Sequence, residues 1–295
     1  MFFVPELTSN FELKKCFFKA IYQKNIRIKL FFTKTYLLKM FRLDNKVAIV
    51  TGGASGIGLA ISRLFAQQGA VVHIFELNID QAEREADLIN ANGGEAYFHK
   101  VDISKQKEVK KTVDKIAKEN SLDILVNNAG IAHIGTVETT TEEDFDRVFN
   151  VNVKGTYNCL QAIIPHLKDK GGVILNVASI AATVGIPERF AYSMSKGAVY
   201  TMTLQVAKDY LKHNIRCNSI SPARVHTPFV DGFIKKTYPG KEKEMFEKLS
   251  KTQPIGRMAK PEEIGSLAVY LCSDEAGFIT GCDYLIDGGF VKLNN

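Results

Sequence analysis

The fold is decided by residues 47–58, which read Val-Ala-Ile-Val-Thr-Gly-Gly-Ala-Ser-Gly-Ile-Gly. The apolar run Val47–Val50 predicts a buried strand, and Ile57, Ile61 and Phe65 continue after the glycines with helical spacing. Glycines between a strand and a helix let the backbone turn tightly and approach a pyrophosphate, whose negative charge is favoured by the N–H groups at the helix N-terminus. The segment therefore predicts a dinucleotide-binding strand, turn and helix.

Six further strand-like runs follow, separated by charged segments with helical periodicity. They are Val71–Phe75, Ala96–Val101, Ile124–Val126, Val173–Val177, Ile215–Ile220 and Tyr284–Ile286. Strands that are apolar throughout and alternate with helices are typical of a parallel sheet covered on both faces. We therefore expect one α/β domain with a doubly wound, parallel, seven-stranded sheet of the Rossmann type.

The net charge of the 295-residue chain lies almost wholly in its first forty residues. Residues 1–40 contain eight basic and two acidic residues, which account for the full charge of +6 and leave residues 41–295 balanced. A balanced body gives no general reason to expect a nucleic-acid partner. The five cysteines show no metal-ligand spacing, which is typical of reduced thiols in an intracellular protein. We expect a cytoplasmic location and no metal site.

The N-terminal segment, residues 1–40, is interpreted as an extension outside the catalytic domain of residues 41–295. Lysines interrupt each of its apolar runs, so it lacks the roughly 18 apolar residues of a membrane span. It also differs from a secretory signal and is poorer in Arg and Ser than a mitochondrial presequence. An amphipathic helix on a membrane surface remains an alternative. The favoured interpretation is a poorly packed extension before a fold that begins near Met40.

Glu76 stands at the end of the second predicted strand, 18 residues beyond Gly58. A carboxylate there can accept hydrogen bonds from an adenosine ribose diol and would repel a 2′-phosphate. Neither Ser55 nor Leu77 supplies the cation that a 2′-phosphate would need. The sequence therefore predicts NAD rather than NADP as the cofactor.

Tyr192 and Lys196 are four residues apart on a predicted helix, so their side chains share a face. Lowering the pKa of a tyrosine from about 10 to about 7 takes roughly 4 kcal/mol. One ammonium about 4 Å away, at an effective dielectric constant near 20, contributes about that much. We therefore expect Tyr192 to act as a general base or acid and Lys196 to lower its pKa.

With these motifs the sequence resembles the short-chain dehydrogenase/reductases, in their compact form of roughly 250 residues. The motifs that carry the resemblance are Thr51–Gly58, Asp102, Asn127-Asn128-Ala129-Gly130, Asn152 within Asn150–Gly155, Ser179, Tyr192-x-x-x-Lys196 and Pro222–Thr227. Their order along the chain matches the family from Met40 onward. Ala223 departs from the pattern, because the family usually has glycine there.

The resemblance implies a hydride transfer between a nicotinamide and an alcohol or ketone. The implied catalytic residues are Asn152, Ser179, Tyr192 and Lys196, with Tyr192 moving the proton, Ser179 binding the reacting oxygen, Asn152 holding a water, and Lys196 binding the nicotinamide ribose. The implied cofactor contacts are Gly52, Ser55, Gly56, Ile57, Gly58, Glu76, Asp102, Ile103, Asn128, Ala129, Gly130, Tyr192, Lys196, Pro222, Val225 and Thr227. By the same resemblance we expect a homotetramer.

Four cationic or polar side chains are expected near the mouth of the substrate pocket, namely His133, Arg189, Arg224 and His226. They suit a carboxylate or a polyhydroxylated substrate better than a steroid or acyl chain. The loop Arg224–Phe229 resembles those of sugar and sugar-acid dehydrogenases of the L-fucose or 2-keto-3-deoxy-fuconate type. A 3-hydroxybutyrate-type dehydrogenase, an NADPH-dependent 3-oxoacyl reductase (opposed by Glu76) and a non-catalytic NAD-binding protein remain alternatives.

Overall fold

The computed structural model describes residues 40–293, which form seven β-strands and ten α-helices. The strands are β1 (Val47–Thr51), β2 (Val71–Glu76), β3 (Glu95–Lys100), β4 (Ile124–Asn127), β5 (Gly172–Val177), β6 (Ile215–Pro222) and β7 (Asp283–Ile286). The helices are α1 (Gly56–Gln67), α2 (Ile79–Ala91), α3 (Gln106–Glu119), α4 (Glu142–Val148), α5 (Gly155–Leu167), α6 (Phe190–Asp209), α7 (Pro228–Thr237), α8 (Glu242–Lys251), α9 (Pro261–Cys272) and α10 (Phe290–Leu293). The prediction of a poorly packed extension falls on residues 1–39, outside the described residues.

All seven strands pair in parallel, in the order β3-β2-β1-β4-β5-β6-β7. The chain winds outward from β1 in one direction through β3 and then from β4 in the other. The carboxyl ends of β1 and β4 therefore flank a crevice at the point where the winding reverses, which is where such sheets bind ligands. The predicted α/β, doubly wound, seven-stranded fold is confirmed, with strand boundaries that differ from the prediction by at most two residues.

Two hydrophobic cores cover the two faces of the sheet. Alternate residues of β1 point to opposite faces, so Ala48 and Val50 enter one core and Val47 and Ile49 enter the other. Helices α1, α2 and α9 supply apolar residues to the first core, and α3, α5 and α6 supply them to the second. Most strands are apolar because both of their faces are buried, whereas the edge strand β3 exposes Glu95, Tyr97 and Lys100.

One local feature was not predicted from the sequence. Residues Phe149–Lys154 form a π-helix between α4 and α5, and the buried Asn152 lies within it. Single π-helical turns inside α-helical segments occur frequently at functional sites. No helix in residues 40–293 has the length and apolar character that a bilayer crossing requires.

Candidate active site

The glycine turn of residues 51–58 leaves the N-terminus of α1 open to an anion. Gly52 and Gly56 have positive φ angles of 62° and 50°, a conformation in which glycine carries little steric cost. Within the described residues no side chain caps α1, and its first turn contains no acidic residue. Free N–H groups and the positive end of the helix dipole therefore meet at the crevice, which fits the pyrophosphate of a dinucleotide.

Close packing holds this turn in place. A Cβ on Gly58 would lie 2.1 Å from the Gly52 carbonyl oxygen, so only glycine fits at the start of α1. Thr51 Oγ1 accepts hydrogen bonds from the backbone N–H groups of Asn128 and Ala129, both at 3.0 Å. Asn128 Nδ2 in turn donates to the carbonyl oxygens of Thr51 and Gly52. The Asn127–Gly130 motif thus braces the glycine turn.

The residues predicted to contact adenosine lie at the carboxyl ends of β2 and β3. Glu76 ends β2, is half-buried, and accepts a hydrogen bond from the Leu77 N–H at 2.8 Å. The neighbouring Phe75 carbonyl accepts from the Gly52 N–H at 2.8 Å, so Glu76 stands next to the glycine turn. Asp102 follows β3 and accepts two hydrogen bonds from Ser104 through Oδ1, and Ile103 is buried beside it.

The loop after β6 closes the other side of the crevice. A Cβ on Gly56 would lie 3.3 Å from Thr227 Cγ2, so Thr227 lies against the glycine turn. Pro222 ends β6, and Val225 is buried and bridges to Ala259. Ala223 does not have a positive φ angle, so alanine meets no backbone strain at this position.

Tyr192, Lys196 and Ser179 come together at the centre of the crevice. Tyr192 and Lys196 share a face of α6, and the Lys196 Nζ lies 5.9 Å from the centre of the Tyr192 ring. Lys196 is buried, and its Nζ donates to the Val177 carbonyl oxygen at 2.7 Å. Ser179 follows β5, and its Oγ accepts from the Ala181 N–H at 3.2 Å.

The direction of the Lys196 ammonium bears on its predicted effect on Tyr192. Burial raises the pKa of Tyr192, while the Ser179 hydroxyl and the charge of Arg189 lower it. The ammonium is turned toward the Val177 carbonyl oxygen, and the predicted lowering of the pKa of Tyr192 by Lys196 stays a prediction. Burial also lowers the pKa of Lys196 itself, to about 8.

Asn152 ties three segments of the site to one another. Its Oδ1 accepts from the Ile131 N–H, and its Nδ2 donates to the Ile131 carbonyl oxygen, each at 2.8 Å. Nδ2 also donates to Ser195 Oγ on α6 at 2.9 Å. A Cβ on Gly130 would lie 3.2 Å from Asn152 Oδ1 and 3.5 Å from Lys196 Nζ, so a glycine lets these two polar groups approach each other. The side chain of Asn152 thus positions the site, and its predicted role in holding a water stays a prediction.

The charge of Arg189 acts on both Tyr192 and Arg224. The charge of Arg189 lowers the pKa of Tyr192 and also that of Arg224, whose pKa is lowered mainly by burial. The two guanidinium groups therefore lie close enough to repel each other. Arg224 donates from Nε to Thr252 Oγ1 at 3.0 Å, a contact that the sequence did not reveal because Thr252 is 28 residues away.

The two predicted histidines are held by carboxylates. His133 Nδ1 lies 3.5 Å from Asp144 Oδ1, and His226 Nε2 lies 2.9 Å from Asp231 Oδ1. The His226 ring also packs edge-on against Phe246 of α8. These contacts involve the helices α4, α7 and α8, so a role for either histidine in substrate binding stays a prediction.

Comparison with known proteins decides the family. A family profile described as Enoyl-(Acyl carrier protein) reductase matches residues 52–291. A 3-oxoacyl-(acyl-carrier-protein) reductase of Thermotoga maritima is 38% identical over 255 residues, which cover 85% of this chain and 99% of the relative. The chain belongs to the short-chain dehydrogenase/reductase family. The resemblance inferred from the sequence motifs is thus confirmed.

Other members show how broad this family is. A cyclopentanol dehydrogenase of Comamonas sp. is 36% identical to this short-chain dehydrogenase/reductase over 253 residues, covering 85% of the chain and 99% of the relative. The structure of an L-sorbose reductase from Gluconobacter frateurii, complexed with NADPH and L-sorbose, matches with a TM-score of 0.82 and 29% identity. That match covers 85% of this chain and 98% of the reductase.

The family and the fold together establish the class of reaction. This short-chain dehydrogenase/reductase is an NAD(P)-dependent oxidoreductase that acts on alcohols or ketones. Residues 40–293 contain no group of three or more His, Cys, Asp or Glu side chains placed to hold a metal ion.

Proposed function

We propose that this short-chain dehydrogenase/reductase is an NAD-dependent dehydrogenase for a secondary alcohol that carries a carboxylate, a hydroxy acid or sugar acid. The observation that supports this most directly is the approach of Arg189 to both Tyr192 and Arg224. Neither arginine forms an ion pair with a carboxylate within residues 40–293, where their side-chain bonds go to the Glu188 carbonyl and to Thr252. Two guanidinium groups without a carboxylate partner among the described residues, one of them near the reacting phenol, favour an anionic substrate.

The proposed chemistry uses the side chains at the centre of the crevice. A bound oxidised nicotinamide would accept the hydride and would place a positive charge beside the phenol. Tyr192 removes the proton of the substrate hydroxyl, and Ser179 donates a hydrogen bond to the same oxygen. Lys196 binds the nicotinamide ribose, and Asn152 holds the segment that surrounds Lys196 and supports a water for proton exit. Ketone reduction is the reverse sequence.

NAD is proposed over NADP because of Glu76. Its carboxylate ends β2 beside the glycine turn, where an adenosine ribose would lie. The next residue, Leu77, is 58% exposed and offers no cation to a 2′-phosphate. The L-sorbose reductase was solved with NADPH, so members of this fold use either cofactor and the residues at this strand end decide between them.

A substrate screen tests the proposal. The purified protein should reduce NAD⁺ faster than NADP⁺ with secondary hydroxy acids or sugar acids, followed by the absorbance of the reduced nicotinamide. The matched methyl esters and uncharged sugars should be poorer substrates, because they lack the charge that the arginines bind. Equal rates with acids and esters would refute the carboxylate assignment. Tight NADH binding with no turnover of any compound would favour a non-catalytic protein.

Two wider expectations accompany this function. Residues 41–295 form the proposed catalytic domain, with residues 1–40 as an extension. The homotetramer implied by the family resemblance stays a prediction, which light scattering on the purified protein would test.

A further inference from the structure

A buried amide near Arg224 has an acceptor that no protein group uses. Gln253 follows α8 and is only 2% exposed. Its Nε2 donates to Thr252 Oγ1 at 2.8 Å, while its Oε1 has no hydrogen-bond partner among the described residues. A buried acceptor without a partner is destabilising, so such an atom calls for a ligand or a water.

The orientation of this amide is fixed by its neighbours. Thr252 Oγ1 donates its only proton to the Leu249 carbonyl oxygen at 2.6 Å. It accepts from Arg224 Nε at 3.0 Å and from Gln253 Nε2. If the amide were flipped, Gln253 Oε1 would face an oxygen with no proton left to give. The unpaired atom is therefore the acceptor oxygen, which requires a donor.

Gln253 and Arg224 line the same cavity of about 130 Å³. The other charged groups around it are already neutralised or engaged. Arg257 forms two hydrogen bonds with Glu263, at 2.7 and 2.8 Å, and Asp287 accepts from the N–H groups of Gly289 and Val291. The groups left for a ligand are thus the terminal nitrogens of Arg224, which are donors, and Gln253 Oε1, which is an acceptor.

The Arg224 donors and the Gln253 acceptor together favour one kind of ligand. A cationic donor would be repelled by Arg224, so a neutral hydroxyl is the donor that suits Gln253 Oε1. The volume exceeds what one water needs and accommodates a hydroxylated carbon of a substrate chain. The cavity lies at the carboxyl edge of the sheet, as Ser179 does, because its lining residue Ile286 ends β7 and pairs with Pro222 at the end of β6.

Resting on the carboxylate-binding function proposed above, we infer that this cavity is a subsite for a further hydroxyl of the substrate, so that the enzyme prefers sugar acids over plain hydroxy acids. The hydroxyl donates to Gln253 Oε1, and the carboxylate accepts from the arginines. A plain hydroxy acid would leave the buried Oε1 unpaired. Sites built to bond a substrate hydroxyl discriminate strongly against analogues that lack it.

The experiment compares two classes of acid in wild type and in Gln253→Met. The probes are gluconate, galactonate and xylonate as polyhydroxylated acids and 3-hydroxybutyrate as the plain acid, each assayed for kcat/KM with NAD⁺. In the wild-type enzyme, kcat/KM for at least one polyhydroxylated acid should exceed kcat/KM for 3-hydroxybutyrate. Gln253→Met should lower kcat/KM for that acid by about tenfold, the worth of one hydrogen bond, and leave 3-hydroxybutyrate unchanged. Because the variant removes an unpaired acceptor together with the donor to Thr252, its Tm should change little.

The control variant is Gln205→Met, on the exposed surface of α6. It should leave unchanged the ratio of kcat/KM for the polyhydroxylated acid to kcat/KM for 3-hydroxybutyrate. Equal losses for both classes of acid, or a lowered Tm with an unchanged ratio, would show that Gln253 serves the structure or binds only water, and would overturn the inference. A wild-type preference for 3-hydroxybutyrate over all three polyhydroxylated acids would overturn it too, while leaving the proposed function intact. Failure to oxidise any of the acids would instead remove the proposed function and this inference with it.

Discussion

The glycine turn of residues 51–58 and the helix pair α7 and α8, called the lid below, are stabilised in different ways. In the turn, backbone groups and short side chains fix the conformation, as Gly58 and Asn128 do against Gly52. In the lid, Ile234 is the one buried residue of α7, and residues 242–251 of α8 bury none. The glycine turn is thus closely packed, whereas α7 and α8 are largely exposed. A substitution in the glycine turn should therefore have a larger effect than the same substitution in α7 or α8.

The largest effect is expected at Tyr192, at the centre of the crevice. Tyr192→Phe removes the proton-transferring oxygen and keeps the ring, so turnover should fall about 10³-fold, within the range for loss of a general acid or base. NADH affinity should stay the same, because the glycine turn is untouched. The chain contains no tryptophan, so NADH fluorescence can be followed without interference from the protein. Retention of wild-type turnover would reject Tyr192 as the acid or base.

The same substitution made in both regions tests the comparison itself. Gly58→Ala places a Cβ 2.1 Å from the Gly52 carbonyl oxygen, so the turn must open. NADH affinity should fall at least about 100-fold, with a lower Tm, because overpacking and strain destabilise such sites. Gly232→Ala, in α7, meets no atom within 4 Å and should leave NADH affinity unchanged with an equal or higher Tm. Similar losses in the two variants would show that the regions do not differ as described.

The same contrast explains what the sequence could and could not predict. Most of the strands were predictable because they are continuous apolar runs, and the glycine turn was predictable because a tight backbone turn between a strand and a helix favours glycine. The bond between Arg224 and Thr252 was not, since it joins segments 28 residues apart across a lid with no regular pattern. The bond from the Lys196 ammonium to Val177 was not predictable either, because spacing on a helix gives a shared face but not the direction of the ammonium.

A pH experiment compares a buried histidine of the sheet with an exposed histidine beside α7. His73 on β2 is buried, its Nδ1 lies 2.9 Å from His99 Nε2, and burial lowers its pKa to about 4. The unfolded chain therefore takes up a proton at higher pH than the folded one, so stability is complete above the unfolded pKa and declines as the pH falls below it. Between about pH 7 and pH 5 the free energy of unfolding should drop by about 2 kcal/mol from this group.

Urea unfolding at both pH values checks the prediction. His73→Phe, which keeps a ring stacked beside Tyr97, should remove most of that pH dependence. The matched lid variant His226→Phe should not, because the exposed pair of His226 with Asp231 contributes little to stability. A wild-type curve that does not change between the two pH values would contradict the assignment of a buried neutral histidine.

The smallest effect is expected from the charge that sets cofactor choice. Glu76→Ala removes the carboxylate at the end of β2, so NAD⁺ should lose about tenfold in affinity, the worth of a hydrogen bond to a charged group, while NADP⁺ loses a repulsive neighbour. The ratio of kcat/KM for NAD⁺ over NADP⁺ should narrow accordingly. Glu247→Ala makes the same change on the exposed surface of α8 and should leave the ratio unaltered. If the two variants shift the ratio equally, cofactor preference follows the overall charge of the protein rather than the strand end. If Glu76→Ala leaves the ratio unchanged, groups other than Glu76 determine the cofactor.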